Sequence, residues 1–258
     1  MKFTQIRNAT ILIEFGHGKI IVDPMLARKG SLPKLRYYKS DKRTPLVDLP
    51  DVFTEYKDNI DYALITHCQK GHFDHLDRAG VRWLVKRQIP TFCTPRDEKF
   101  LDKKQILTRV LAQQRSTFFD GTIERIPATH TRGWLTAFME HGTGYFIQLP
   151  NEPSVYLMGD TVLTHSIRNF IQDNQPDYIV APTGKAQFDL GAPLLLDENE
   201  IIELANLSTG KIICNHMGAL DHCRIDHHSL AALLQKHAVK DRYIIPRDGD
   251  TVILTTNY

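Results

Sequence analysis

The stretch ITHCQKGHFDHLD, residues 65–77, gathers His67, His72, Asp74, His75 and Asp77 into one short segment. Imidazole nitrogens and carboxylate oxygens suit borderline divalent ions, zinc first, with iron and manganese also served. A surface histidine run is the competing explanation for this segment alone. Three further candidates each follow an apolar run: His130 after IPAT (126–129), Asp160 after YLMG (156–159) and His216 after IICN (212–215). Any one of them reads equally well as a capping Asp or as a core histidine satisfied by a carbonyl. Repetition at three separate run ends favours a shared metal site.

Ligands delivered from separated segments need a rigid frame, and the hydrophobic periodicity supplies one. Residues 1–24 alternate apolar and polar positions, break at Gly16-His17-Gly18 and resume as Ile20, Ile21 and Val22, which predicts strands joined by a hairpin. Tyr62-Ala63-Leu64-Ile65 is a short apolar run that stops at Thr66-His67, a buried strand handing polar groups off its end. A helix is predicted over 79–86, a strand over 91–94, a helical stretch over 96–103, and strands near 107–110 and 122–127. Hairpin strands follow at 136–139, 144–149 and 155–158, then a helix at 164–173 and a strand at 178–181. Asp197 with Glu200 forms a capping box opening a helix that buries Ile201, Ile202, Leu204, Ala205 and Leu207. A strand over 211–214 ends at Asn215-His216, a last helix sets Leu230, Leu233, Leu234 and Ala238 on one face, and 251–255 closes the chain as a strand. Two such halves in succession predict an α/β chain of two face-to-face sheets with helices outside, in one domain spanning 1–258. Residues 25–60 lack a period and carry Pro33, Pro45, Pro50 and the basic run KLRYYKSDKR (34–43), so they are expected as a loop or lid.

The chain has 258 residues, enough to hold a core without disulfides or a structural metal, so a bound metal would serve function. Its 32 basic and 30 acidic side chains leave a net charge of +2, too little for a nucleic-acid footprint over the whole surface. Cys68, Cys93, Cys214 and Cys223 lack CxxC spacing, and no secretory leader is recognisable. No run approaches the roughly 18 apolar residues of a membrane helix. A cytoplasmic protein without a membrane span is expected.

With these residues in view, the sequence resembles the metallo-β-lactamase superfamily, whose signature is HxHxDH, a separate His, an Asp in a GDT or GD context and a last His. HFDH (72–75), MGDT (158–161) and HMGALDHC (216–223) carry the likeness, supported by IRNATILIEF (6–15), VDPML (22–26), PLVDLP (45–50) and DRYIIPRDGD (241–250). It covers the whole chain and looks most like the UlaG-type branch, which includes ascorbate-6-phosphate lactonase. The resemblance implies a four-layer αββα sandwich with the site on one edge. It also implies two ions per chain: His67, His72 and His130 for one, Asp74, His75 and His216 for the other, and Asp160 bridging. The signature has one residue between its first two histidines, whereas Cys68-Gln69-Lys70-Gly71 separate His67 from His72 here. His67 is therefore either a ligand or a support behind the ligands. Relatives often carry Glu where Gly218 stands, and that carboxylate is absent.

Such a site implies hydrolysis by a metal-activated hydroxide, with Asp74 orienting it or accepting its proton and Asp160 joining the ions; these two are the catalytic candidates. Asp23 and Asp77 are candidates to receive N–H bonds from ligating imidazoles, against plainer roles as a turn residue before Pro24 and a helix start. His222 is either a proton donor facing substrate or a surface loop histidine, and His227-His228 are expected to be exposed at a helix start. Folded over the site, Arg36 with Lys34, Lys39, Lys42 and Arg43 would hold a small anionic substrate, Tyr37 and Tyr38 would stack, and Trp134 would form an apolar wall. A solvated charge run is the alternative. The leading expectation is a hydrolase of a small anionic ester, lactone or phosphoester. A nuclease or phosphodiesterase acting on nucleic acid, and a non-catalytic metal-dependent binding protein, stay open. A homo-oligomer is compatible with the sequence and not decided by it.

Overall fold

Alternating apolar side chains build β1 (Lys2–Arg7), β2 (Thr10–Phe15) and β3 (Gly18–Val22), joined by two tight turns. The computed structural model describes residues 1–69, 72–132 and 142–256. It continues with α1 (Asp51–Tyr56), β4 (Tyr62–Leu64), α2 (Arg78–Arg87), β5 (Thr91–Cys93), α3 (Pro95–Asp102) and β6 (Thr108–Val110). The second half runs β7 (Arg115–Phe118), β8 (Gly121–Ala128), β9 (Gly142–Gln148), β10 (Val155–Leu157), α4 (His165–Asn174) and β11 (Tyr178–Pro182). It ends with α5 (Glu198–Leu207), β12 (Lys211–Asn215), α6 (His227–Lys236), β13 (Tyr243–Ile244) and β14 (Thr251–Ile253).

The strands form two seven-stranded sheets, ordered β14-β1-β2-β3-β4-β5-β6 and β13-β12-β11-β10-β9-β8-β7. Phe3, Ile13 and Leu64 of the first sheet meet Tyr145, Leu157 and Val180 of the second in the central layer. Ile21 and Ala63 pack outward on Leu84 and Leu101 of the α1–α3 side, while Ile179 and Ile212 pack on Ile167, Leu204 and Leu230 of the α4–α6 side. Each such buried Leu, Ile or Phe contributes roughly 1.5–3 kcal/mol, which fixes the stacking. The result is the four-layer αββα sandwich that the sequence resemblance implies.

Strand direction decides where chemistry can gather. β3, β4 and β5 are mutually parallel, as are β10, β11 and β12. β8 is antiparallel to β9, which is antiparallel to β10, so β8 runs with β10. The C-terminal ends of β3 and β4 leave the first sheet on one edge, and those of β8, β10 and β12 leave the second sheet together.

Several elements differ from the sequence expectation. Within 25–60 the six-residue helix α1 forms, starting after Pro50, too short to show a period. The rest of that segment is anchored: Leu32 bridges Thr44, and the fully buried Arg7 donates to the carbonyls of Met25, Ala27 and Val47 at 2.7, 2.9 and 3.1 Å. β7 was not expected, because RSTF is largely polar and only Phe118 is buried. Ala238 lies beyond the end of α6 at φ +56° and is exposed, so it does not share the face of Leu230 and Leu234. The strand expected at 136–139 falls outside the described residues. Among the described residues, no helix is long and apolar enough to cross a membrane.

Candidate metal centre

Every candidate ligand sits just past a strand end. His67 follows β4, with His72, Asp74 and His75 in the loop that leads to α2; His130 follows β8, Asp160 follows β10 and His216 follows β12. The backbone bends sharply to release two of them. Gly159 has φ +64°, and a Cβ there would come within 2.8 Å of the Thr143 carbonyl, so Asp160 needs glycine before it. His216 itself has φ +55° and is clamped by its N–H to the Asn8 carbonyl at 3.0 Å.

The side chains converge in two groups. One ligand atom from each of His67, His72 and His130 lies within 4.8 Å of the others, and the same holds for Asp74, His75, Asp160 and His216. The groups adjoin, since the His67 ring centre is 3.9 Å from that of His75 and 4.8 Å from that of His130. Asp160 Oδ2 stands 3.1 Å from His75 Nε2 and 3.3 Å from His216 Nε2. Asp74 Oδ2 stands 3.6 Å from His216 Nε2 and 3.8 Å from His75 Nε2. All of these residues except the half-buried His72 are buried.

Electrostatics bring four of the candidate ligands, His67, His130, Asp74 and Asp160, into the forms that a divalent ion requires. Burial, reinforced by the fields of His75, His130 and His72, pushes His67 well below the ordinary imidazole value. Burial likewise lowers His130 to about 4. Both are neutral imidazoles at physiological pH. Burial opposes ionisation of Asp74 and Asp160, yet neighbouring His75 and His216 outweigh it and hold both carboxyls well below the usual carboxylate range. The Nε2 atoms of His67 and His130 are buried without a hydrogen-bond partner. An orphaned buried polar atom costs about 1–3 kcal/mol, and metal ligation would remove that cost. Burial opposes protonation of His75 and His216, yet Asp160 outweighs it and holds both well above the ordinary imidazole value, so these two would release a proton on ligating a metal. With that exchange, the set of imidazole nitrogens and two carboxylates fits divalent metal ions.

Behind the candidate ligands, three imidazoles have a partner on the other nitrogen. His75 Nδ1 lies 2.8 Å from Asp23 Oδ2, and the same carboxylate accepts from Thr66 Oγ1 at 2.5 Å and Thr66 N at 2.8 Å. His67 Nδ1 is 3.0 Å from Thr66 Oγ1. His216 Nδ1 is 3.7 Å from Cys223 Sγ. Such partners fix the tautomer and ring direction of a metal-binding histidine.

The remaining sequence candidates are placed as follows. Asp77 caps α2, accepting from Gly80 N at 2.7 Å and Ala27 N at 2.6 Å, and so works on the backbone. His222 is buried rather than a surface histidine; its ring centre is 6.1 Å from that of His216, and its Nδ1 has no partner. His227 is half-buried, with Nε2 3.0 Å from the Pro246 carbonyl, so only His228 of that pair is exposed. Arg36 Nε is 3.7 Å from Asp189 Oδ1. Trp134 lies outside the described residues. Asn8 was missed: its Nδ2 reaches His216 Nε2 and the Asp74 carbonyl at 3.4 Å each. The one signal for it was an Asn in a tight turn between two strands. Cys223 was missed too, because a lone cysteine beside a histidine-rich string has no spacing rule.

Comparison with known proteins agrees with this architecture. A family described as the Beta-lactamase superfamily domain matches residues 2–215. The UPF0173 protein YddR of Bacillus subtilis is 30% identical over 256 residues, covering 97% of this chain and 99% of its own. A UPF0173 metal-dependent hydrolase of Azorhizobium caulinodans is 22% identical over 261 residues, covering 97% of this chain and 99% of its own. The crystal structure of isothiocyanate hydrolase from Delia radicum gut bacteria superposes with a TM-score of 0.89 at 27% identity, covering 99% of this chain and 100% of that one. With both sheets, both helical layers and the His/Asp cluster in place, the chain belongs to the β-lactamase superfamily and is a metal-dependent hydrolase of the metallo-β-lactamase fold.

Proposed function

We propose that the centre holds two divalent ions, zinc foremost with manganese or iron as alternatives, and hydrolyses a small electrophile: an ester, a lactone or a phosphoester. The observation that carries this reading is the convergence of seven side chains from both sheets into two adjoining ligand groups whose buried His67 and His130 Nε2 atoms have no other partner. Divalent ions bound there supply a nucleophilic water at neutral pH and stabilise negative charge developing on the electrophile. His67, His72 and His130 would hold one ion, Asp74, His75 and His216 the second, and Asp160 would be shared.

The protein's own groups account for the rest of the step. Asp74 stays a carboxylate at neutral pH, close to His75 and His216, and is placed to orient the attacking water and accept its proton. The water oxygen bonds to the electrophilic carbon or phosphorus, the bond to the leaving oxygen breaks, and the proton passes to that oxygen. A cavity of about 740 Å³ bounded by His72 and Phe73 carries Arg78, Arg82 and Lys104 on its wall, which supports a substrate with an anionic group. These cations differ from the expected ones. In the basic loop Lys34 donates to the carbonyls of Tyr37 and Ser40, and Arg43 to those of Gly30 and Ser31.

The similarity to an isothiocyanate hydrolase favours a second electrophile, the isothiocyanate carbon. Addition of water there gives a thiocarbamate, which leaves as the amine and carbonyl sulfide. Asp160→Ala tests both readings, because it removes the carboxylate closest to both His75 and His216. Tight metal loading and turnover on a panel of lactones, phosphate esters and isothiocyanates should both be lost; retention of both would remove the proposal.

A further inference from the structure

Seven large hydrophobic side chains are exposed among the described residues, and four of them, Tyr37, Tyr38, Phe188 and Leu190, line one cavity. Clustering of that kind marks a binding surface, whereas scattered exposed apolar residues do not. We infer that this cavity, completed by Leu35 and Phe73, binds an uncharged aryl or alkyl substituent of the substrate while its reacting group sits at the metal centre. The inference rests on the hydrolase reading above and adds the substrate's apolar half.

Three observations support it. The cavity measures about 510 Å³, within the roughly 300–1,000 Å³ of small-molecule sites. Its lining neighbours the centre: Phe73 stands in the chain between His72 and Asp74, and the Phe188 ring stacks on His222 at 6.1 Å, itself 6.1 Å from the His216 ring. Its one charged lining residue, Asp189, is already engaged, accepting from Tyr38 N at 2.9 Å and facing Arg36 Nε at 3.7 Å. Nothing in that lining would neutralise a phosphate or carboxylate, so the occupant is uncharged.

The cavity wall is also held for the purpose. Asp221, on the loop between His216 and His222, accepts from the backbone N–H groups of Leu35 and Arg36 at 3.0 and 3.1 Å. The loop carrying Tyr37 and Tyr38 is thereby tied to the segment that positions His216. Tyr38 is 90% exposed and Leu190 is 82% exposed, and a bound ring would cover both.

The test uses the metal-loaded full chain and two matched series, methyl and 2-phenylethyl isothiocyanate, and methyl and 2-phenylethyl phosphate. In whichever series is turned over, kcat/KM should be about 30-fold or more higher for the larger substituent, a gain expected from burying an apolar ring. Phe188→Ala and Leu190→Ser should each cut that ratio about tenfold. Binding of 2-phenylethanol, read by saturation-transfer NMR, should occur in the parent and be lost in both variants. This measurement needs no turnover, so a failed reaction class with retained, variant-sensitive binding would sink the hydrolysis reading and leave the pocket standing. Equal ratios in parent and variants, or 2-phenylethanol binding unchanged by them, would overturn the inference. So would a dimer that the variants convert to monomer without change in ligand binding, since the face would then join two copies.

Discussion

Asp23→Asn is the most informative change that leaves every ligand in place. Thr66 N donates to Asp23 Oδ1 at 2.8 Å, whereas Thr66 Oγ1 and His75 Nδ1 both meet Oδ2, at 2.5 and 2.8 Å. The backbone N–H requires an acceptor, so the Asn oxygen takes the Oδ1 position and its NH₂ takes that of Oδ2. The threonine hydroxyl can rotate to accept, but the His75 Nδ1–H cannot. His75 must then hold its proton on Nε2, the nitrogen aimed at Asp160 and needed for the metal. Loss of such a partner weakens metal binding by about 10- to 100-fold, or roughly 1.4–2.8 kcal/mol. Competition with a chromophoric chelator for zinc at pH 7.5 reads the constant, and thermal unfolding confirms the fold. A folded Asn variant with zinc affinity within about twofold of the parent would refute the role assigned to Asp23.

Further outcomes follow from the same structure. Cys223→Ala should weaken zinc binding severalfold by freeing the His216 ring, and Cys223→Ser should largely restore it; equal affinity in all three proteins would leave the thiol without a positioning role. Asp248 is pushed up to about 6 by burial, against the pull of Arg7. Its folded value exceeds the unfolded one, so the stability it contributes is present below about pH 4 and lost as pH rises through about 6. The melting temperature of Asp248→Asn should therefore fall less from pH 5 to 7.5 than that of the parent, and identical pH dependence would contradict this.

The sequence made the frame and the ligand strings readable for a physical reason. The largely buried stretches 62–65 and 212–214 are continuous apolar runs, and a ligand candidate, His67 or His216, stands two residues past each. The Asp197–Glu200 capping box likewise has a local code, and both reciprocal bonds are present. Features that depend on distant contacts were not readable. Asp23 looks like a turn residue because it is one, at φ +48°, and only the packing of β3 beside β4 brings it to His75. Arg36 reads as part of a basic lid, yet its guanidinium faces Asp189, more than a hundred residues away in the chain. The aromatic cavity joins residues 35–38, 73 and 188–190, which no spacing rule connects.

Anomalous diffraction from crystals of the zinc-loaded protein tests the central claim most directly. The account predicts two peaks per chain, one among His67, His72 and His130 and one among Asp74, His75 and His216, with Asp160 between them. Zinc-loaded crystals with no peak in either group would contradict it.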